Sequence, residues 1–324
     1  MPVSVATLER IESFLPQRSV PIAELAGRLG LTRPKVEVYR KIFGLDNIRF
    51  DPEMGLFDLV LPAARAALSS VDDPGRIRHV IFAHTIQQLT PANIDAAQVI
   101  RDELGLRHAD AFGLSQQNCA SGLAAIDVAA ELLRAEGDPD ARALVMTGER
   151  ASSPMVQLVP NTAIMGEAAA ACVVAIDGAG DSVDSYVLRT LGEFAAGLLL
   201  DDAGNKQFGK RYPQVLAEVM RSALAAAGLT FDDLDLVISQ NVDTSGWREA
   251  IKGLGVPKEK LFMDNVKHHG HCYASDVFVN YTTLRDAGRL VDGGRYLLIS
   301  VGLGASFAAM VITHHSKQRI ARLG

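Results

Sequence analysis

Leu114-Ser-Gln-Gln-Asn-Cys119-Ala-Ser-Gly-Leu-Ala-Ala-Ile-Asp-Val-Ala-Ala-Glu-Leu-Leu133 is the stretch on which the reading of this chain turns. A short apolar run ends, a turn of small residues follows, and an amphipathic helix begins at the cysteine. Leu123, Ile126, Ala130 and Leu133 recur at helical spacing. Cys119 therefore falls at or just before a helix N-terminus, where unpaired N–H groups and the positive dipole end favour a thiolate. That setting makes a cysteine nucleophilic without a metal. Ala120, Ser121 and Gly122 leave room for a substrate carbonyl to approach. A buried, inert cysteine under a helix fits the same residues.

Composition narrows the choice. The chain has 324 residues, 48% of them hydrophobic and 22% charged, an ordinary α/β balance large enough for a sizeable core. The net charge of −6, without a long Lys/Arg run, argues against nucleic acid as a partner. Three cysteines, an odd number, point to a reducing compartment, and their spacing suits no zinc site. The N-terminus lacks the pattern of a signal peptide, and no apolar run approaches the roughly 18 residues of a membrane span, so a cytoplasmic setting is expected.

Outward from Cys119, strand-like and helical patterns alternate. Strand-like runs are read at His79–Ala83, Ala143–Gly148 and Ala170–Ile176, with helices over Phe57–Ser69 and Cys119–Ala135. After the Gly- and Asp-rich connector Asp177–Ser182 the design returns. Strands are read at Asp184–Thr190, Leu234–Ser239, Arg295–Ser300 and Phe307–Ile312, and helices over Val215–Ala227, Ser245–Leu254 and Asp276–Ala287. Two similar α/β halves are expected, residues 1–177 and 178–324, the repeating part of the first beginning near residue 50. Ile22–Lys41 has a helix-turn-helix outline, read as two short surface helices at the edge of an enzyme.

A nucleophilic cysteine needs a base. In Asn265-Val-Lys-His-His-Gly-His271-Cys-Tyr-Ala-Ser-Asp276, His271 lies in a turn and Asp276 at a helix start, close enough in sequence to fold back and fix the imidazole tautomer. Cys119, His271 and Asp276 form a candidate Cys-His-Asp set. Helix capping is the competing use of Asp276. His268 and His269 read as solvated or packing residues, and the three-histidine cluster lacks the carboxylate pattern of a metal site. Val301-Gly302-Leu303-Gly304-Ala305-Ser306, between two strand-like runs, could supply oxyanion N–H donors from Gly304 or Ala305, although a tight hairpin looks the same.

These pieces, in this order, resemble the thiolase superfamily and within it the ketoacyl synthase III-like branch. Asn118–Gly122 is similar to the nucleophile turn of that branch. Thr147–Ser152 resembles the turn after the nucleophile helix, Ile164–Ala171 the Gly-Asp-Gly-Ala-Ala turn, and Gly302–Phe307 the C-terminal Gly-rich turn. The resemblance implies a five-layer αβαβα fold of two pseudo-symmetric halves and a homodimer. It also implies acyl-CoA or acyl-carrier-protein thioesters as substrates, with no tightly bound cofactor.

Two departures matter. Where condensing members of the family carry His, the resemblance places Gln240, and where they carry Asn it places His271. Glutamine donates a hydrogen bond but cannot hold a proton's charge, so stabilisation of an enolate is weakened. His271 with Asp276 can deprotonate a hydroxyl or amine instead. The resemblance thus implies an acyltransferase of natural-product biosynthesis, the alternative being a decarboxylative condensing enzyme that uses a malonyl thioester. Arg40 and Lys41, near where the family contacts CoA phosphates, read as ordinary surface charge. Thr147, Met155 and Phe208 are equally readable as pocket lining or core.

Overall fold

A computed structural model describes residues 5–316. Its centre is one ten-stranded sheet, in the order Leu261–Phe262, Leu236–Ile238, Arg295–Gly302, Ser306–Thr313, Asp181–Thr190, Ala6–Phe14, Ala169–Ile176, Arg142–Gly148, Ile77–Ala83, Asp110–Leu114. The middle pair, Ala6–Phe14 and Asp181–Thr190, is antiparallel. Going outward on either side, the next two pairings are antiparallel and the last two parallel. The two wings therefore share one pairing scheme and are pseudo-symmetric.

Strand alternation sorts side chains into layers. On one wing, Leu144 and Met146 face an outer cluster with the helices Leu56–Leu68 and Ala96–Glu103. On the other, Leu297, Ile299, Phe307 and Val311 face an outer cluster with Asp202–Ala226 and Thr244–Gly253. The opposite faces, including Val145, Cys172, Leu298 and Met310, meet in the middle on the helices Ser121–Glu136 and Asp276–Asp286. This is the five-layer αβαβα arrangement. Each large apolar side chain sealed in the middle layer contributes about 1.5–3 kcal/mol. The two central helices pack closely at Gly122, where a Cβ would lie 2.8 Å from the Phe278 ring and 2.9 Å from the Ala274 carbonyl.

Three elements differ from the sequence reading. Within Ile22–Lys41 only Arg33–Lys41 is helical. The residues before it form turns that bury Ile22, Leu25 and Leu29 against Val36, Tyr39 and Ile48. The long helix begins at Asp202 rather than Val215, running through Pro213 from an N-cap in which Asp201 accepts the Gly204 N–H at 2.7 Å. The central strand Ala6–Phe14 was not anticipated, because Glu9, Arg10 and Glu12 mask its alternation. Two of those charges are matched from afar, Glu9 by Arg142 at 2.8 Å and Glu12 by Arg285 at 3.1 Å. Among the described residues, no helix is long and apolar enough to cross a membrane.

Candidate active site

The edge strand Asp110–Leu114 delivers the chain into a 3-10 turn, Asn118–Ala120, and directly into the helix Ser121–Glu136. Asn118 takes a left-handed conformation, φ +55°, which turns the chain sharply. Cys119 is 6% exposed, with its N–H on Asn118 Oδ1 at 3.2 Å and its Sγ 3.4 Å from the same oxygen. The C-terminal hairpin is pressed on this turn, since a Cβ on Gly302 would fall 2.0 Å from the Gln117 carbonyl. Only glycine fits there.

His271 reaches the same place from the other wing. It bridges to Met165 outside the sheet, its N–H on the Ile164 carbonyl at 3.3 Å and its carbonyl accepting from Gly166 at 3.0 Å. Its Nδ1 lies 2.5 Å from Asp276 Oδ2. Asp276 opens the Asp276–Asp286 helix, but its carboxylate turns inward instead of capping it. Besides the imidazole it accepts the Asn241 N–H at 2.7 Å, Asn241 Nδ2 at 3.2 Å and the Cys272 N–H at 2.7 Å. Burial alone would depress the basicity of His271. The Asp276 carboxylate and the Cys119 sulfur, acting by charge and by hydrogen bonding, outweigh it and raise the imidazole pKa to about 10. A protonated imidazole facing the sulfur is the setting in which a nucleophilic thiolate forms. Cys119 and the His271–Asp276 pair, distant in sequence, thus meet in one buried cluster.

Gln240 is 1% exposed, its Oε1 accepting the Val301 N–H at 2.8 Å and its Nε2 without a partner among the described residues. Gly304 and Ala305 lie in the turn between the last two strands; Ala305 is buried and its carbonyl is taken by the Leu191 N–H at 2.9 Å. His269 is held neutral, burial and Arg49 lowering its pKa to about 4, and His268 is exposed. Thr147 is buried and bonded to Ser275 at 2.8 Å. Phe208 packs against Phe194 and Tyr212, and Met155 projects into solvent. Arg40 and Lys41 pair with Glu37. Sequence reasoning missed Asn241, Thr85 and Glu149. Asn241 sits beside Gln240 and Glu149 lies within the Thr147–Ser152 turn, the two hints available, whereas Thr85 has no local mark.

Residues 224–314, which hold Gln240, His271 and Asp276, match the family described as 3-oxoacyl-[acyl-carrier-protein (ACP)] synthase III C terminal. The chain is 26% identical over 326 residues to the β-ketoacyl-[acyl-carrier-protein] synthase III of Cereibacter sphaeroides, covering 95% of this chain and 98% of that one. Among solved structures, ChlB3, described as an acyltransferase, superposes with a TM-score of 0.85 at 19% identity, over 96% of this chain and 98% of its own. The 3-oxoacyl-[acyl-carrier-protein] synthase III of Aquifex aeolicus gives 0.78 at 20% identity, over 95% and 100%. The chain therefore has a ketoacyl synthase III-like fold.

Proposed function

We propose that this protein is an acyltransferase that moves an acyl group from an acyl-CoA or acyl-carrier-protein thioester, through a Cys119 acyl-enzyme, to a hydroxyl or amine, in natural-product biosynthesis. The observation that carries the reading is the short His271–Asp276 contact beside Cys119, with Gln240 in place of a second ionisable residue. In the resting pair His271 holds the proton. The sulfur attacks the thioester carbonyl, the carbon–sulfur bond to the carrier breaks, and His271 gives its proton to the departing thiol. Acylation removes the sulfur's charge, and with it one of the influences that hold a proton on His271. The neutral imidazole then takes the acceptor's proton as its oxygen or nitrogen attacks the acyl carbon. Cys119 leaves as a thiolate facing a renewed imidazolium, and the cycle closes.

The Cys119 N–H with Gly304 or Ala305 is the proposed oxyanion donor set, the former exchanging Asn118 Oδ1 for the oxyanion. The free Nε2 of Gln240 is the proposed donor to the acceptor or the bound carbonyl. No tightly bound cofactor is needed. A homodimer is proposed as well, because the strand Asp110–Leu114, which leads to Cys119, ends the sheet with an open edge.

A decarboxylative condensing enzyme is the second reading, favoured by sequence relatives named β-ketoacyl-[acyl-carrier-protein] synthase III. Intact mass after mixing with a panel of acyl-CoA thioesters, followed by a malonyl-thioester chase, separates the two. An adduct on Cys119 that malonyl leaves in place, and that a hydroxyl or amine discharges, supports transfer. Loss of the adduct with a β-ketoacyl product establishes condensation instead.

A further inference from the structure

The Cys119 sulfur has a neighbour outside the Cys-His-Asp set. Thr85 Oγ1 donates to it at 3.7 Å from the loop that follows the strand Ile77–Ala83. The backbone N–H of the same threonine, and that of Ile86, end on the two oxygens of Glu149, at 2.5 and 2.8 Å. Glu149 is 1% exposed and follows the strand Arg142–Gly148, the direct sheet neighbour of the strand before Thr85. The nearest cation in sequence, Arg150, is committed to Glu167 at 2.9 Å and to the Asp51 carbonyl at 3.0 Å. Burial pushes the Glu149 carboxyl up to about 7, against the lowering by the Ile86 and Thr85 N–H groups, by the Thr85 hydroxyl, which also reaches this carboxyl, and by the charge of His271. A buried carboxyl of this kind is costly. An amide would be milder but has one acceptor oxygen, and its NH2 would face the second backbone donor. A carboxyl group is what takes both N–H groups at once.

We infer that Glu149 is a positioning residue: by accepting both N–H groups of the Thr85–Ile86 turn, it fixes the Thr85 hydroxyl on the Cys119 sulfur, where the hydroxyl steadies the thiolate. The inference rests on the reading of Cys119 as the nucleophile.

Alkylation of the full-length protein by iodoacetamide, with the site mapped to Cys119 and the rate followed across about pH 5 to 9, reads the sulfur without any acyl substrate. Thr85→Val should slow alkylation about tenfold, the scale of one hydrogen bond to a charged group, and raise the apparent pKa of the profile. Thr85→Ser should restore it. Glu149→Gln should give the same shift as Thr85→Val, and the double variant should be no slower than either single one. Wild-type rates in a folded Glu149→Gln variant would overturn the inference. So would effects that add in the double variant, because Glu149 would then act by another route, such as its field at His271. Should Glu149→Gln not fold, Glu149→Asp, which keeps the charge but retracts it by one methylene, must also slow alkylation. A wild-type Cys119 that resists alkylation altogether would instead sink the nucleophile reading, a distinct result.

Discussion

Nδ1 of His271 lies 2.5 Å from Oδ2 of Asp276, and that carboxylate is simultaneously gripped by both nitrogens of Asn241, 35 residues earlier in the chain. The imidazole is thus oriented by a group that is itself immobilised. Replacing Asp276 by Asn keeps the shape but loses acceptor capacity, leaving buried donors unpaired at about 1–3 kcal/mol each. Acyl transfer should fall about 10²- to 10⁴-fold in single-turnover assays, with a lowered melting temperature. An Asp276→Asn variant that discharges its acyl-enzyme at the wild-type rate would remove His271 from the role of oriented base.

His271 carries its proton far above the ordinary histidine range, to about 10, because of Asp276 and Cys119. A pKa raised in the folded state binds more protons folded than unfolded. The resulting stability is complete below the unfolded value near 6.5 and is lost as pH rises through about 10. Urea midpoints measured across this window should fall with pH more steeply for the wild type than for His271→Gln. Parallel curves would count against a protonated resting imidazole.

Gln240 spends its oxygen on the Val301 N–H and leaves its NH2 free. Gln240→Ala should slow deacylation by the acceptor while leaving the first acylation burst largely intact, by about tenfold in the former if one hydrogen bond to the reacting group is lost. Gln240→His supplies an imidazole where the ketoacyl synthase resemblance places one, and carbon dioxide release from a malonyl thioester should rise. Wild-type deacylation in Gln240→Ala would exclude the amide from the acceptor step.

Gly122 is the contact between the Cys119 helix and the segment that carries His271 to Asp276. Its missing Cβ would overlap the Phe278 ring at 2.8 Å and the Ala274 carbonyl at 2.9 Å. Gly122→Ala should destabilise the fold by about 1–3 kcal/mol through overpacking, visible as an earlier urea transition. It should also lower the alkylation rate of Cys119, because the two central helices hold the two sides of the site. An unchanged urea midpoint would show that the helices can part without cost.

Much of the architecture was legible because local chemistry dictates it. The unbroken apolar runs in Arg142–Gly148 and Ser306–Thr313, buried on both faces, and the apolar spacing in Ser121–Glu136 are patterns that burial enforces residue by residue. The strand Ala6–Phe14 was not legible. Its charges look like surface until Arg142 and Arg285 are brought to them. The first turns of Asp202–Ala226 were hidden in the same way, by glycines and a proline that a long amphipathic helix tolerates once its second half is packed.

For the site, the division follows contact range. The sequence alone determined that Cys119 stands at a helix start and that His271 and Asp276 are five residues apart, because a turn and a following helix bring such neighbours together whatever the rest of the chain does. Only the tertiary structure decided that Cys119 meets that pair. It also decided that Asn241 immobilises the carboxylate and that Glu149 and Thr85 stand behind the sulfur. Those partners lie tens to more than a hundred residues apart, and a lone polar residue carries no periodicity. Its partner is fixed only when two wings of one sheet close on a dry middle layer and each buried donor must find an acceptor there.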